Sequence, residues 1–157
     1  MEANLTRRWD IQSFVSNEII QKVEILKIEN STYERISWAP VLLKLSNPIV
    51  KLENEGRKFS QETFLDLVKD WIQQGRPIGM AYSFGVRKMK SGRTFLNLVA
   101  RMPEAWKVNR NLVKLPINNG NRLAVRIQEV KDLGDDFWKN SNSKIVIELK
   151  VLGPIRH

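Results

Sequence analysis

The predicted fold depends on residues 79–102, GMAYSFGVRKMKSGRTFLNLVARM. In the first part every second residue is apolar, as in a strand with one buried face; these residues are Met80, Tyr82, Phe84 and Val86. The middle, from Lys90 to Arg93, has the composition of a turn, because a glycine such as Gly92 can adopt a positive φ without steric cost. In the last part, from Thr94 to Met102, apolar residues again recur at every second position. We therefore predict a β-hairpin over this stretch.

The C-terminal part of the chain shows the same alternation. Residues 118–121, Asn-Asn-Gly-Asn, favour a turn. The strand that follows is expected to place Leu123, Val125 and Ile127 on one side and Arg122, Ala124, Arg126 and Gln128 on the other. Residues 132–143 are rich in Gly, Asp, Asn and Ser and are interpreted as a loop. A last strand is predicted from Lys144 to Leu152, with Lys144, Glu148 and Lys150 pointing outward.

Two short helices are predicted in the N-terminal half. The first covers residues 9–20, with Asp10 as its N-cap and apolar residues at helical spacing. The second covers residues 60–74 and begins with Ser60 as its cap. Its apolar residues form one face, so Trp71 is expected in the core.

The segments between these helices are predicted to be extended. Val23 to Ile28 fits a strand or a continuation of the first helix. Apolar residues alternate between Trp38 and Leu52, but Pro40 and Pro48 interrupt the pattern. Because proline cannot donate to a sheet ladder, we expect one or two short strands at an edge or a bend. We recognise no internal repeat in the amino-acid sequence.

Length and pattern together predict a single domain over residues 1–157, since about 150 residues is a typical domain size. The expected fold class is α+β, with a mainly antiparallel sheet or a small barrel and two short helices in the N-terminal half. The first residues lack the apolar run of a signal peptide, so we expect an intracellular location rather than secretion.

Positive charge is concentrated in the middle of the chain. The net charge of the whole chain is +9. Residues 76–131 contain twelve basic and two acidic side chains, a net charge of +10, while the two flanking parts are close to neutral. Such a local excess is costly unless a polyanion or an acidic surface compensates it, which indicates a charged partner.

The residues needed for most catalytic and metal sites are missing. The chain has no cysteine and a single histidine, His157, the final residue. Asp132, Asp135 and Asp136 form the one tight acidic cluster, and their spacing is not that of a calcium loop. No phosphate-binding glycine motif is present. We therefore expect neither catalytic residues nor a metal nor a cofactor.

The basic region combines cations with aromatic residues, as nucleic-acid grooves do. Tyr82 and Phe84 share a face with apolar residues and are expected in the core, whereas Phe95 is expected to be exposed, with Trp106 the next candidate. Neither the aromatic signature of RNA-recognition domains nor the Gly-x-x-Gly loop of KH domains is present. The predicted nucleic-acid-binding residues are Arg87, Lys88, Lys90, Arg93, Phe95, Arg101, Trp106, Lys107, Arg110, Arg122 and Arg126.

These observations favour a non-enzymatic domain that contacts the phosphates of nucleic acid, with single strands preferred and little sequence specificity. The alternative is a small structural or assembly protein, similar to a viral matrix or coat component. Its basic face would then bind anionic lipid or a packaged genome, and the protein would form a homo-oligomer. A module that binds an acidic protein has the same charge pattern. The choice between DNA and RNA is left open.

Overall fold

The computed structural model describes residues 2–5, 17–29, 38–53 and 61–154. These ranges contain eight strands: β1 (Glu2–Leu5), β2 (Ile25–Glu29), β3 (Ile49–Glu53), β4 (Ala81–Val86), β5 (Trp106–Asn109), β6 (Leu112–Pro116), β7 (Arg122–Glu129) and β8 (Ile145–Leu152). The α-helices are α1 (Glu18–Lys22), α2 (Trp38–Lys44), α3 (Gln61–Gln74), α4 (Met89–Ala100) and α5 (Asp136–Lys139). A short 3-10 helix covers Val130–Asp132.

All eight strands lie in one open sheet with the order β1-β2-β3-β4-β8-β7-β6-β5. The neighbouring pairs β1–β2, β2–β3 and β3–β4 are parallel. The other four neighbouring pairs, β4–β8, β8–β7, β7–β6 and β6–β5, are antiparallel. The coarse α+β prediction is therefore confirmed. The prediction of a mainly antiparallel sheet or a barrel is wrong, because the sheet is mixed and does not close.

The parallel half contains a short repeat that the sequence reading missed. The segments ILKIE (25–29) and IVKLE (49–53) are nearly identical and pair residue by residue, with Ile25 opposite Ile49. Each strand also pairs in parallel with the strand before it in the chain. The repeat therefore corresponds to two successive parallel strands in register.

The two faces of the sheet have different roles. Helices α3 and α4 cover one face, where Phe84 of β4 stacks on Phe64 of α3 and makes an edge contact with Phe95 of α4. The opposite face, called the open face below, is partly covered by the segment that contains α5. There Trp138 packs beside Gly85, where an added Cβ would lie 2.9 Å from a Trp138 ring carbon. A glycine at position 85 allows this close approach.

Residues 89–100 form helix α4, so the return strand predicted from Thr94 to Met102 is wrong. The place beside β4 that a hairpin would fill is occupied by β8. The buried face of α4 consists of residues three or four positions apart, as in a helix; these are Gly92, Phe95, Leu96 and Val99. Gly92 lies so close to β8 that a Cβ would overlap the Ile145 side chain. Close packing of helix on sheet has thus replaced the predicted turn.

One N-terminal and one C-terminal prediction also need correction. Residues 38–44 form helix α2 rather than a strand, with Pro40 in its first turn, where its missing N–H costs nothing. Residues 49–53 form β3, as the alternation indicated. In the C-terminal part, the segment 132–143, interpreted as a loop, contains helix α5.

Several predictions are confirmed. Helix α3 matches the helix predicted over 60–74, and its Trp71 is fully buried. Strands β7 and β8 bury the apolar residues assigned to their inner face. The helix predicted over 9–20 is not confirmed in its described part: α1 begins at Glu18, and Asn17 is its extended N-cap, whose Oδ1 accepts hydrogen bonds from the Ile19 and Ile20 amides. Its predicted cap Asp10, the cap Ser60 and His157 lie outside the described residues.

Candidate nucleic-acid interface

A first group of cations surrounds the start of α4, at the end of the sheet where β4 ends. Arg87 and Lys88 follow β4 directly, Lys90 lies in the first turn of α4, and all three side chains are exposed. This first turn has no acidic residue, and the side chain of the N-cap residue Lys88 does not cap the helix. The positive end of the helix dipole therefore adds to the positive potential of the three side chains.

Arg93 connects this group to the turn between β5 and β6. Its Nη1 and Nη2 atoms donate to the Arg110 carbonyl oxygen and to Asn111 Oδ1, each at 2.7 Å. Desolvation lowers the pKa of Arg93, and so does the positive charge of Arg110, while Glu129 opposes this shift. Arg93 is therefore held against the backbone of the β5–β6 turn, at Arg110. We call the whole group the cationic rim: Arg87, Lys88, Lys90, Arg93 and Arg110.

A second group lies on the open face of the antiparallel half. Lys114 on β6 and Lys150 on β8 flank Ala124 of β7 in the sheet register. Arg122 and Arg126 lie two residues before and after Ala124 on the same face of β7. Four cations thus surround one small side chain. Trp106 on β5 pairs with Lys114 in register and is 38% exposed. We call this group the basic platform: Trp106, Lys114, Arg122, Arg126 and Lys150.

The cationic rim and the basic platform meet at the turn between β5 and β6. Arg126 pairs in register with Leu112, two residues after Arg110. The amide of Ile127 donates to the Asn111 carbonyl oxygen at 2.9 Å. From the end of β4 to β6 the sheet spans three strand spacings, about 14 Å. The two groups therefore adjoin at the turn between β5 and β6, and together they are called the basic surface below.

Carboxylates leave this surface largely uncompensated. In the described part of the chain, two of the twelve cations between residues 76 and 131 form an ion pair: Arg76 with Asp70, and Lys131 with Glu129. Glu148 pairs in register with Arg126, yet no ion pair forms between them. Arg122 donates through Nε to the Gly153 carbonyl oxygen at 2.9 Å, which leaves its charge uncompensated.

The parallel half of the same face is electrostatically different. Lys27 forms an ion pair with Glu2, and Lys51 binds Asp135 at 2.5 Å. Burial raises the pKa of Asp135, but hydrogen bonds from Lys51 and from the Phe137 amide outweigh it and hold the pKa below its usual value. Asp135 is thereby explained as the cap of α5 and a partner of Lys51. Within the described ranges, no three acidic or histidine side chains are placed to hold a metal ion.

The predicted site residues are thus only partly brought together. Eight of them lie in the cationic rim or the basic platform. Arg101 is exposed at the far end of α4, and Lys107 is exposed on the edge strand β5, opposite Val113. The prediction that Phe95 is exposed is wrong: it is 0% exposed and packs against Phe84.

Two platform residues were not selected from the sequence. Lys114 lies within the basic region, but its neighbours on β6 gave no reason to single it out. Lys150 belongs to the neutral C-terminal part, and it joins the platform because β8 pairs with β7. The outward position of Lys150 was predicted correctly, so the pairing of the two strands was the missing information.

Comparison with protein families places this geometry partly inside a known family. Residues 4–88 match the family described as "Domain of unknown function (DUF3557)", which is more than half of the chain. The chain belongs to the DUF3557 family. The matched region contains β2, β3, β4 and the second half of β1 and ends at Lys88, so most of the basic surface lies beyond it. Neither the curated proteins nor the solved structures contain a match to this chain.

Proposed function

We propose that this member of the DUF3557 family is a non-enzymatic nucleic-acid-binding domain that holds a single strand along the cationic rim and the basic platform. The observation that carries this proposal is a contrast in ion pairing. The open-face cations of the parallel half, Lys27 and Lys51, form ion pairs with carboxylates, whereas no cation of the rim or platform forms one among the described residues. Adjoining groups of cations without ion pairs are what a polyanion binds.

The character of the surface favours single strands and weak sequence preference. Lysine and arginine side chains contact phosphates, which carry no sequence information. Trp106 adds one exposed aromatic ring beside Lys114, and an aromatic ring can stack on any base. Bases are free to stack in this way when they are not paired in a duplex.

The test is a binding titration with a fluorescent single-stranded oligonucleotide at several salt concentrations. The variant Arg87→Gln/Lys88→Gln/Lys90→Gln removes three exposed cations of the rim. The matched control, Lys22→Gln/Lys44→Gln/Lys69→Gln, removes three exposed cations of α1, α2 and α3 and changes the net charge equally. Circular dichroism verifies that both variants fold.

We expect the rim variant to bind weakly and the control to bind almost as well as the wild type. Each lost phosphate contact lowers the salt slope of log K by about 0.7 on single strands, so three lost contacts lower it by about 2. Equal affinities of the two variants, or a wild-type affinity that does not change with salt, would contradict the proposal.

A second candidate function is binding to an anionic lipid surface, in a structural or assembly role. The observation that favours it is the edge strand β5, where Val108 is 45% exposed next to Trp106, with Lys107 between them. Exposed aromatic and aliphatic side chains beside cations are typical of contacts with the lipid interface. No helix in the described ranges is long and apolar enough to cross a membrane. Flotation with phosphatidylserine vesicles distinguishes the two functions: lipid binding that Trp106→Ala/Val108→Ser abolishes, without oligonucleotide binding, supports this second role.

A further inference from the structure

A cavity of about 430 Å³ lies at the same end of the sheet as the cationic rim. It is open to solvent and lies between the start of α4 and the segment that joins β7 to β8. Its size is within the range of small-ligand clefts, about 300–1,000 Å³, so it can hold a group as large as a nucleotide. The cavity is therefore large enough for a ligand, and its lining indicates which kind.

The charged residues of the lining are three lysines and one carboxylate. Glu129 is already bound to Lys131 at 3.0 Å. Lys139 and Lys144 are exposed and form no ion pair in the described part of the chain. The lining thus has a formal net charge of +2, with two ammonium groups available to a ligand.

The remaining lining is suited to an organic phosphate rather than to an inorganic ion alone. Met89 and Val130 provide apolar contact surface. Ser143 also lines the cavity; it is 8% exposed, and its Oγ packs against Gly85 of β4. An anion with an apolar part fits this lining of two available ammonium groups and apolar contacts.

The position of the cavity relates it to the cationic rim. Met89 lies between the rim residues Lys88 and Lys90 in the chain. The Lys144 amide donates to the Val86 carbonyl oxygen at 3.0 Å, directly before Arg87. A strand that follows the rim therefore reaches the cavity at the β4 end of the basic surface.

We propose that this cavity binds the terminal phosphate monoester of a single-stranded nucleic acid held along the rim; this inference rests on the proposed function. A phosphate monoester has a charge of about −1.5 to −2 at neutral pH, which matches the net charge of the lining. A phosphodiester within a strand has one negative charge, so it neutralises the net charge of the lining less completely. The cavity thus selects the end of a strand, while the rim and the platform hold its backbone.

The experiment compares three oligonucleotides of one sequence: one with a 5′-phosphate, one with a 3′-phosphate and one with hydroxyl groups at both ends. We expect one phosphorylated form to bind about tenfold tighter than the hydroxyl form, the effect of one charge-assisted hydrogen bond. In Lys139→Gln/Lys144→Gln this preference should disappear. The matched control Lys114→Gln/Lys150→Gln should weaken all three oligonucleotides equally and retain the preference.

The outcomes separate this inference from the function on which it rests. Equal binding of the three oligonucleotides by the wild type overturns the terminal-phosphate site and leaves the nucleic-acid function intact. A preference that persists in Lys139→Gln/Lys144→Gln overturns the location of the site. Failure of all three oligonucleotides to bind overturns both proposals. Tighter binding of a free mononucleotide than of any oligonucleotide overturns the terminal-phosphate proposal and shows that the cavity binds a small ligand instead.

Discussion

Phe95 and Trp106 provide the sharpest test of the structure, because the sequence pattern assigned both to the surface. Phe95 is 0% exposed, lies on the inner face of α4 and meets the Phe84 ring at a centroid distance of 6.0 Å. Trp106 is on the basic platform and is 38% exposed. The structure therefore predicts opposite effects for the two alanine substitutions.

Phe95→Ala should destabilise the protein and leave the basic surface unchanged. Truncation of a fully buried phenylalanine costs about 3–5 kcal/mol, since transfer free energy and a residual cavity both contribute. For a domain of this size each kcal/mol lowers Tm by about 2–4 °C, so the expected decrease is about 6–20 °C. Urea denaturation and thermal unfolding measure the change, and oligonucleotide affinity should remain native at temperatures where the variant is folded.

Trp106→Ala should have the reverse effect. Its free energy of unfolding should stay within about 0.5 kcal/mol of the wild type, because a half-exposed edge-strand side chain contributes little to packing. Its affinity for single strands should fall by about 1–3 kcal/mol, the range of one base–aromatic stack. A Phe95→Ala variant with native stability and weak oligonucleotide binding would show that Phe95 is exposed. That result would refute helix α4 and favour the hairpin predicted from the sequence.

Two predictions concern the segment that covers part of the open face. Gly85→Ala should destabilise by about 1–3 kcal/mol through overpacking against Ser143, and faster hydrogen exchange in residues 135–143 measures it; unchanged exchange there would show that this segment does not pack on β4. Asp135→Asn should lower the free energy of unfolding by about 1 kcal/mol at neutral pH, because its bond to Lys51 lies partly buried. The pKa of Asp135 is lower in the folded protein than in the unfolded chain, so this stability is present above the unfolded pKa, about 3.9, and is lost as pH falls through the folded value. The difference between variant and wild type in urea denaturation should therefore shrink as the pH falls through the folded pKa of Asp135, and a difference that is as large in acid as at neutral pH would contradict the assignment.

The parallel half shows why an alternating pattern did not reveal strand direction. Strands buried on both faces are apolar throughout, and parallel sheets usually belong to that class. Here the helix layer covers one face, so β2 and β3 place Lys27 and Lys51 on the open face. Their alternation is consequently the pattern expected of antiparallel strands with one wet face. The direction of these strands is set by the helices that connect them.

The amino-acid sequence by itself determined the concentration of charge, the absence of cysteine, helix α3 and strands β4, β7 and β8. These features depend on composition or on short-range periodicity, which the chain retains in any fold. It also determined that Arg126 and Lys150 point away from the core, since alternation along a strand is local.

Only the tertiary structure decided which of these residues are neighbours. Residues 94–102 carry apolar side chains at both strand and helix spacing, and the pairing of β8 with β4 left the helix as the form that buries Phe95. Lys114 and Lys150 are 36 positions apart in the chain and become neighbours of Ala124 through the sheet register. Long-range pairing is selected by the burial of the whole helix layer against the whole sheet, and no local segment contains that information.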